Sequence, residues 1–251
     1  MKLMKLQEYL KWLGIAEPEG TAGLLLDFMR LVLEKNEDIN LTAITEEGEF
    51  VEKHLMDSLT CYGWPEIESA SRVVDVGTGA GFPGLPLALL YPEKEFLLMD
   101  SLGKRISFLR EAAAALGIRN VECLHSRAED AGRDPTRRER YDLCLCRAVG
   151  HLGILSEYCL PLVRKGGVFY AYKTVGAAPE IDQSLQARLL LGASSTVETR
   201  LCPIGGAGAD ETGNAAKKAG QYAHTIMVIR KERPTPRTYP RKAGTPARVP
   251  L

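Results

Sequence analysis

The chain has 251 residues, is 45% hydrophobic and 25% charged, and carries no formal net charge, an ordinary soluble composition that leaves room for one large domain with an appendage or two small domains. No apolar run reaches membrane-spanning length, and the N-terminus MKLMKLQEYLKWLG alternates Lys with apolar residues and has no small-residue cleavage site, so a cytoplasmic protein without a membrane partner is expected. Its six cysteines (Cys61, Cys123, Cys144, Cys146, Cys159, Cys202) are scattered, with no CxxC and no His at ligand spacing, which predicts buried free thiols and no metal site.

Residues 1–70 read as a helical cap. GLLLDFMRLVLEKN places Leu25, Met29, Val32 and Leu33 on one helix face. NLTAI (residues 40–44) follows as a connector. EEGEFVEKHLMDSLTCYGW (residues 46–64) is predicted as a helix with His54, Asp57 and Ser58 on one side. From Arg72 the pattern alternates strand and helix, with strands in RVVDV, EFLLMD, NVECLH, YDLCLCRAV and GGVFYAYKT. KRISFLREAAAALG is the clearest helix, with Gly117 as its C-cap. This repetition implies a doubly wound α/β domain over residues 71–232, built on a mainly parallel sheet with helices on both faces. PEIDQSLQARLLLGA is expected to be one helix, and TVETRLCPI and YAHTIMVIRK two strands pairing antiparallel at the edge, which brings the sheet to seven. The Gly/Ala-rich residues 205–220 between them read as a flexible loop.

Residues 233–251 form a basic, Pro-rich C-terminal extension. From Arg230 to the end, seven basic residues face one acid, so this stretch carries +6 and the rest of the chain −6. Five prolines there predict an extended course. Such a strip suits tracking phosphates, as does a solubilising role, and composition alone does not separate the two.

The chemistry begins at VVDVGTGAGFPG (residues 73–84). From Gly79 it matches the GxGxxG of a dinucleotide-binding loop; from Asp75 it matches the acidic-x-Gly-x-Gly-x-Gly entry of a methyltransferase that uses S-adenosylmethionine. Both cofactors sit where the first strand meets the first helix, and both place a ribose near a carboxylate such as Asp100, 21 residues after Gly79. Asp75 favours the methyl donor: it would repel a pyrophosphate and attract the methionine ammonium, directly or through water. The residues after the fourth strand, Cys146-Arg147-Ala148-Val149, lack the Pro-Pro-aromatic signature of exocyclic-amine methylation. Cys146 alternates with Cys144 on an apolar strand, so a structural thiol is expected rather than a nucleophile. A ring nitrogen such as guanine N7, nucleophilic without a base, fits an enzyme that needs little beyond placement.

On NLTAI, KHLMDSLT, VVDVGTGAGFPGLPLAL, LMDSLGKRISFLRE, SRAED, CRAV and YPRKAGTPARVPL, the chain resembles the bacterial 16S ribosomal RNA guanine-N7 methyltransferases of the glucose-inhibited-division-B type, over nearly its whole length from about residue 20. The resemblance implies a Rossmann-like class I methyltransferase and methyl transfer from S-adenosylmethionine to N7 of a guanosine in 16S rRNA or the small ribosomal subunit, by a monomer. It further implies that Gly77, Gly79 and Phe82 line the donor, Asp100 holds its ribose, Ala128 and Glu129 frame the adenine, and Arg147 reaches the cofactor. His54, Asp57 and Ser58 would cap the site on the substrate side. Lys173 and the tail, with Arg241 and Lys242, would meet RNA, so removing the tail should weaken RNA binding and leave the donor's affinity unchanged. Cys146 and Lys173-Thr174 depart from the Ser and Lys-Gly common in the family. A small-molecule methyltransferase and an NAD-dependent oxidoreductase on the same glycine loop remain the alternatives.

Overall fold

The computed structural model describes residues 2–147, 150–203 and 223–251. Seven strands, β1 (Arg72–Val76), β2 (Glu95–Asp100), β3 (Val121–His125), β4 (Tyr141–Cys146), β5 (Val163–Thr174), β6 (Glu198–Pro203) and β7 (Ala223–Arg230), stand in the order β3-β2-β1-β4-β5-β7-β6. The first five are parallel, and β7 runs antiparallel to both β5 and β6. The doubly wound seven-stranded sheet is thus as expected from the sequence, including its antiparallel edge. The predicted run of β4 through Ala148 and Val149, and the loop at 205–220, lie outside the described residues.

Alternation along the strands divides the core. Val73, Leu143, Leu145, Tyr170 and Tyr172 pack toward one face, with α1 (Lys2–Trp12), α2 (Pro18–Asn36), α5 (Gly84–Leu90) and α6 (Gly103–Ala115). Val74, Val76, Cys144, Cys146, Phe169 and Ala171 pack toward the other, with α7 (Ala128–Ala131) and α8 (Leu152–Cys159). Burial on both faces is why these strands read as apolar runs. β1 lies between β2 and β4, so the chain reverses its winding at the end of β1 and opens a crevice there.

Two predicted helices are interrupted. In place of one helix over 46–64, α3 (Glu47–Phe50) widens into a π-helical stretch, Val51–Met56, where the Asp57 N–H donates to Glu52 O five residues back. The wider turn accompanies the docking of His54 and Asp57 into tertiary contacts described below, a usual setting for π-turns. The segment at 179–193 splits at Ser184 into α9 (Glu180–Gln183) and α10 (Leu185–Leu190). Buried Arg188 bridges the break by donating to Ile181 O, a carbonyl that a continuous helix would bond itself, and to Ser194 O and Ser195 O after α10.

The tail is a strap bound to the body. Lys231, fully buried, donates to Leu160 O (2.6 Å) and Thr235 Oγ1 (2.7 Å), and burial pushes its pKa down to about 8. Arg138 donates to Tyr239 O, Thr235 O and Pro236 O, and Arg133 to Pro240 O. Arg133 and Arg138, from the basic cluster RDPTRRER (residues 133–140), therefore staple the strap down. One helical turn, α11 (Thr245–Arg248), sits near its end.

Glu66, on α4 (Pro65–Glu68), ties the helical cap to the sheet edge. Its carboxylate accepts from Tyr170 on β5 (2.7 Å), Arg200 on β6 (2.8 and 2.9 Å) and Arg230 on β7 (2.8 Å). The Arg200 guanidinium chiefly holds its pKa down, to about 2 against an ordinary 4.5. A depressed carboxylate stabilises the fold fully above its unfolded value and stops doing so as pH falls through its folded value. Glu66→Gln is therefore expected to lower stability by about 2 kcal/mol at pH 7. The gap to the wild type should close as pH drops from 4.5 toward 2, measured by urea denaturation across that range.

Candidate active site

The loop after β1 is folded around two carboxylates. Gly77 and Thr78 N–H donate to Met99 O, carrying the β1–β2 ladder past the strand end. Gly79, at φ +60, turns its N–H onto Asp100 Oδ2 (3.0 Å), while Leu102 N–H donates to Asp100 Oδ1 (2.9 Å). Asp100 is thus fixed at the mouth of the crevice, with Arg105 Nη1 at 3.4 Å.

Asp75 lies below the loop. It is fully buried, and its Oδ2 accepts from Thr78 Oγ1 (2.7 Å) and Gly84 N–H (2.9 Å). Burial raises its pKa to about 6, with Thr78 and Gly84 opposing. Of the two routes to a methionine ammonium expected from the sequence, direct and through water, burial of the carboxylate closes the direct one and leaves the route through water; Asp75 also shapes the loop. Gly84 is part of the same packing, since a Cβ there would meet Leu98 Cδ2 at 2.4 Å and Asp75 Oδ2 at 2.8 Å. Asp75 Oδ1 is a buried acceptor without a partner among the described residues.

Over the crevice lies a cavity of about 400 Å³, and Gly77, Asp100, Ala128 and Glu129 all line it, with Leu102, Cys146 and Tyr158. These four predicted residues come together. A carboxylate at the end of β2, an orphan acceptor beneath the loop and a wall from Ala128 and Glu129 fit a nucleoside with a cationic amino acid tail, as S-adenosylmethionine has. Gly79 and Phe82 do not line this cavity: Gly79 acts through its bond to Asp100, and Phe82 faces the helical cap.

Around Phe82 the cap locks onto the loop. The His54 ring stacks on Phe82 at 4.7 Å and 8°, and the Arg147 guanidinium lies 5.2 Å from the same ring. Arg147 Nη2 donates to His54 Nδ1 (3.0 Å), so His54 Nε2 carries the proton and donates to Thr42 Oγ1 (2.7 Å). Burial, then Arg147, pushes the His54 pKa down to about 3, keeping the ring neutral. Thr42 belongs to NLTAI, a segment held by Asn36 Oδ1, which accepts from Leu41 and Thr42 N–H. Arg147 Nη1 donates to Asp57 Oδ2 (2.8 Å), and Asp57 Oδ1 accepts from His224 Nδ1 (2.7 Å). Burial alone would raise the Asp57 pKa, but His224 and Arg147 hold it below the ordinary value. His54 and Asp57, expected on the substrate side, spend their polar atoms on these neighbours. They position Arg147 and His224.

A second cavity, about 540 Å³, opens beside the first, lined by Arg147, Tyr172, Lys173, Glu180 and His224 among others. Arg147, expected at the cofactor, lies on this one. Lys173, expected to meet RNA phosphate, is buried and paired with Glu180 (2.6 Å). In the tail, Arg241 commits Nε and Nη2 to a forked pair with buried Glu157 (2.6 and 2.9 Å), while Lys242 is exposed. Three residues further, Gly244 N–H donates to Glu129 Oε1 (2.8 Å), so the strap fixes a wall of the first cavity. Sequence reasoning missed His224 and Gly244. His224 lies 167 residues from its partner, and no local spacing marks either one.

The family described as GidB, rRNA small subunit methyltransferase G, matches residues 22–200. A ribosomal RNA small subunit methyltransferase G from Alkaliphilus metalliredigens is 39% identical over 99% of this chain and 98% of its own length. One from Symbiobacterium thermophilum is 43% identical over 98% and 96%. The chain belongs to this family. Two solved structures share the fold: an O-methyltransferase from Bacillus cereus in complex with SAH (TM-score 0.54, 16% identical, 81% of this chain and 90% of that one), and cofactor-bound Rv0187 from MTB (TM-score 0.55, 15% identical, 84% and 91%).

Asp100→Ala is expected to weaken S-adenosylhomocysteine binding on the order of 100-fold, through loss of charge-assisted hydrogen bonds and of the bonded loop, measured by calorimetry. Deleting residues 241–251 removes the Gly244 and Arg241 contacts and leaves Glu157 and Glu129 without them. In contrast to the expectation from sequence, it should weaken the same binding roughly tenfold and lower the melting temperature.

Proposed function

We propose that the first cavity holds S-adenosylmethionine and the second the target base, and that the protein methylates N7 of a guanosine in 16S ribosomal RNA, acting as a monomer in the cytoplasm. One observation carries the assignment of the two sites: Cys146 lines the first cavity and Arg147, the next residue, lines the second. Donor and acceptor would then meet across the end of β4, at the switch point of the sheet. Bound there, S-adenosylmethionine supplies an electrophilic methyl group on a sulfonium.

A nucleophile that needs no base suits this site. In the second cavity the Lys173 ammonium is paired with Glu180. N7 of guanine has a free lone pair at neutral pH, so direct displacement requires in-line placement and exclusion of competing atoms. The methylated base is cationic. Glu180 stands among the residues lining the second cavity, its charge balanced by Lys173.

Methyl transfer from labelled S-adenosylmethionine to small subunits and to bare 16S rRNA lacking the modification, followed by cleavage at 7-methylguanosine, tests this reading. A single mapped cut is expected. Label without a cut discards N7, and no transfer to either RNA, with donor binding confirmed, points to a small-molecule substrate.

A further inference from the structure

His224 takes part in no step described above, yet the fold spends a fully buried carboxylate on orienting it. Asp57 Oδ1 lies 2.7 Å from Nδ1 of the ring. A carboxylate accepts only, so Nδ1 carries a proton; in the neutral ring that leaves Nε2 to present its lone pair. Arg147 occupies the other oxygen of Asp57 and prevents the carboxylate from turning away. His224, half-buried, is the second residue of β7, paired in register with Thr174 at the end of β5, and it lines the second cavity. The described residues offer Nε2 no partner of its own.

We infer that His224 Nε2 reads the N1–H of the target guanine, a role that rests on the guanosine-N7 reading above. The chemistry of the base favours this edge. N1 lies on the Watson–Crick side of the purine and N7 on the opposite side, so an acceptor at N1 holds the base while N7 is left toward the donor. Guanine presents a proton at N1 and adenine a lone pair, so a fixed Nε2 acceptor attracts the first and repels the second. The contact also strengthens during reaction. As N7 forms its bond to carbon the ring becomes cationic and N1–H more acidic, so its hydrogen bond to a neutral imidazole is stronger in the transition state than in the ground state. No proton needs to leave N1 for the methyl transfer to balance: the N7 lone pair forms the new N–C bond, and the S–C bond electrons return to sulfur.

The test compares wild type, His224→Asn and His224→Gln on 16S rRNA carrying guanosine or 1-methylguanosine at the target position. Asn keeps a donor toward Asp57 and loses the acceptor at the ε position; Gln keeps an acceptor at that reach. On guanosine, H224N is expected to lose about 10- to 100-fold in kcat, with S-adenosylhomocysteine affinity unchanged and H224Q nearer the wild type. On 1-methylguanosine, which lacks the N1 proton, wild type and H224N should be equally slow. An H224N enzyme as fast as wild type on guanosine, or one showing the same fold loss on both RNAs, overturns the assignment while leaving the reaction standing. A wild type that makes no 7-methylguanosine overturns the reaction and the assignment together. Nitrogen-15 NMR of His224 in the folded wild type provides a check independent of the variants: an unprotonated Nε2 is expected, and a proton on that atom overturns the proposal.

Discussion

A carboxylate with no access to water organises this protein's functional end. Asp57 directly follows the π-helical segment of the cap, Arg147 follows β4 and His224 lies at the start of β7. Two partners far from it in sequence take its two oxygens. Removing one partner of such a buried pair costs about 3–5 kcal/mol, because the remaining charge has no water to turn to. The cap therefore cannot drift from the sheet without breaking an expensive contact, and the glycine loop is held through the same arginine by way of Phe82.

The two sides of that junction use opposite electrostatics. His54 is kept neutral by burial and by Arg147, so it can lie flat on Phe82 and pass the arginine's orientation back to Thr42. Asp57 is kept charged by the donors it collects. A neutral ring and an anion, three residues apart on a widened helical turn, fix one guanidinium from two directions. This pre-organisation suits a displacement in which placement does most of the catalytic work.

Much of this architecture was legible in the sequence, and the losses have a common cause. The strands were readable because parallel strands buried on both faces are apolar runs, Asp100 because it ends one of them, and Ala128 and Glu129 only through the family resemblance. The direct contact considered for Asp75 is not made, although its partners, Thr78 and Gly84, are within the same quoted loop; the motif does not show how deeply the carboxylate is buried. The tail was read from its charge, its prolines and the family resemblance, none of which shows what an arginine bonds. That depends on acceptors remote in sequence: Glu157 for Arg241 of the strap, and backbone carbonyls of the strap for Arg133 and Arg138 of the body. No count of basic residues reveals such partners. His224 was invisible for the same reason.

The strap also separates two kinds of integrity. All seven strands end by Arg230, whereas Glu129, a wall of the donor cavity, is held by Gly244. A chain cut just before Gly244 keeps every strand of the sheet and loses this hold on the donor cavity, so an intact sheet is no measure of an intact cofactor site.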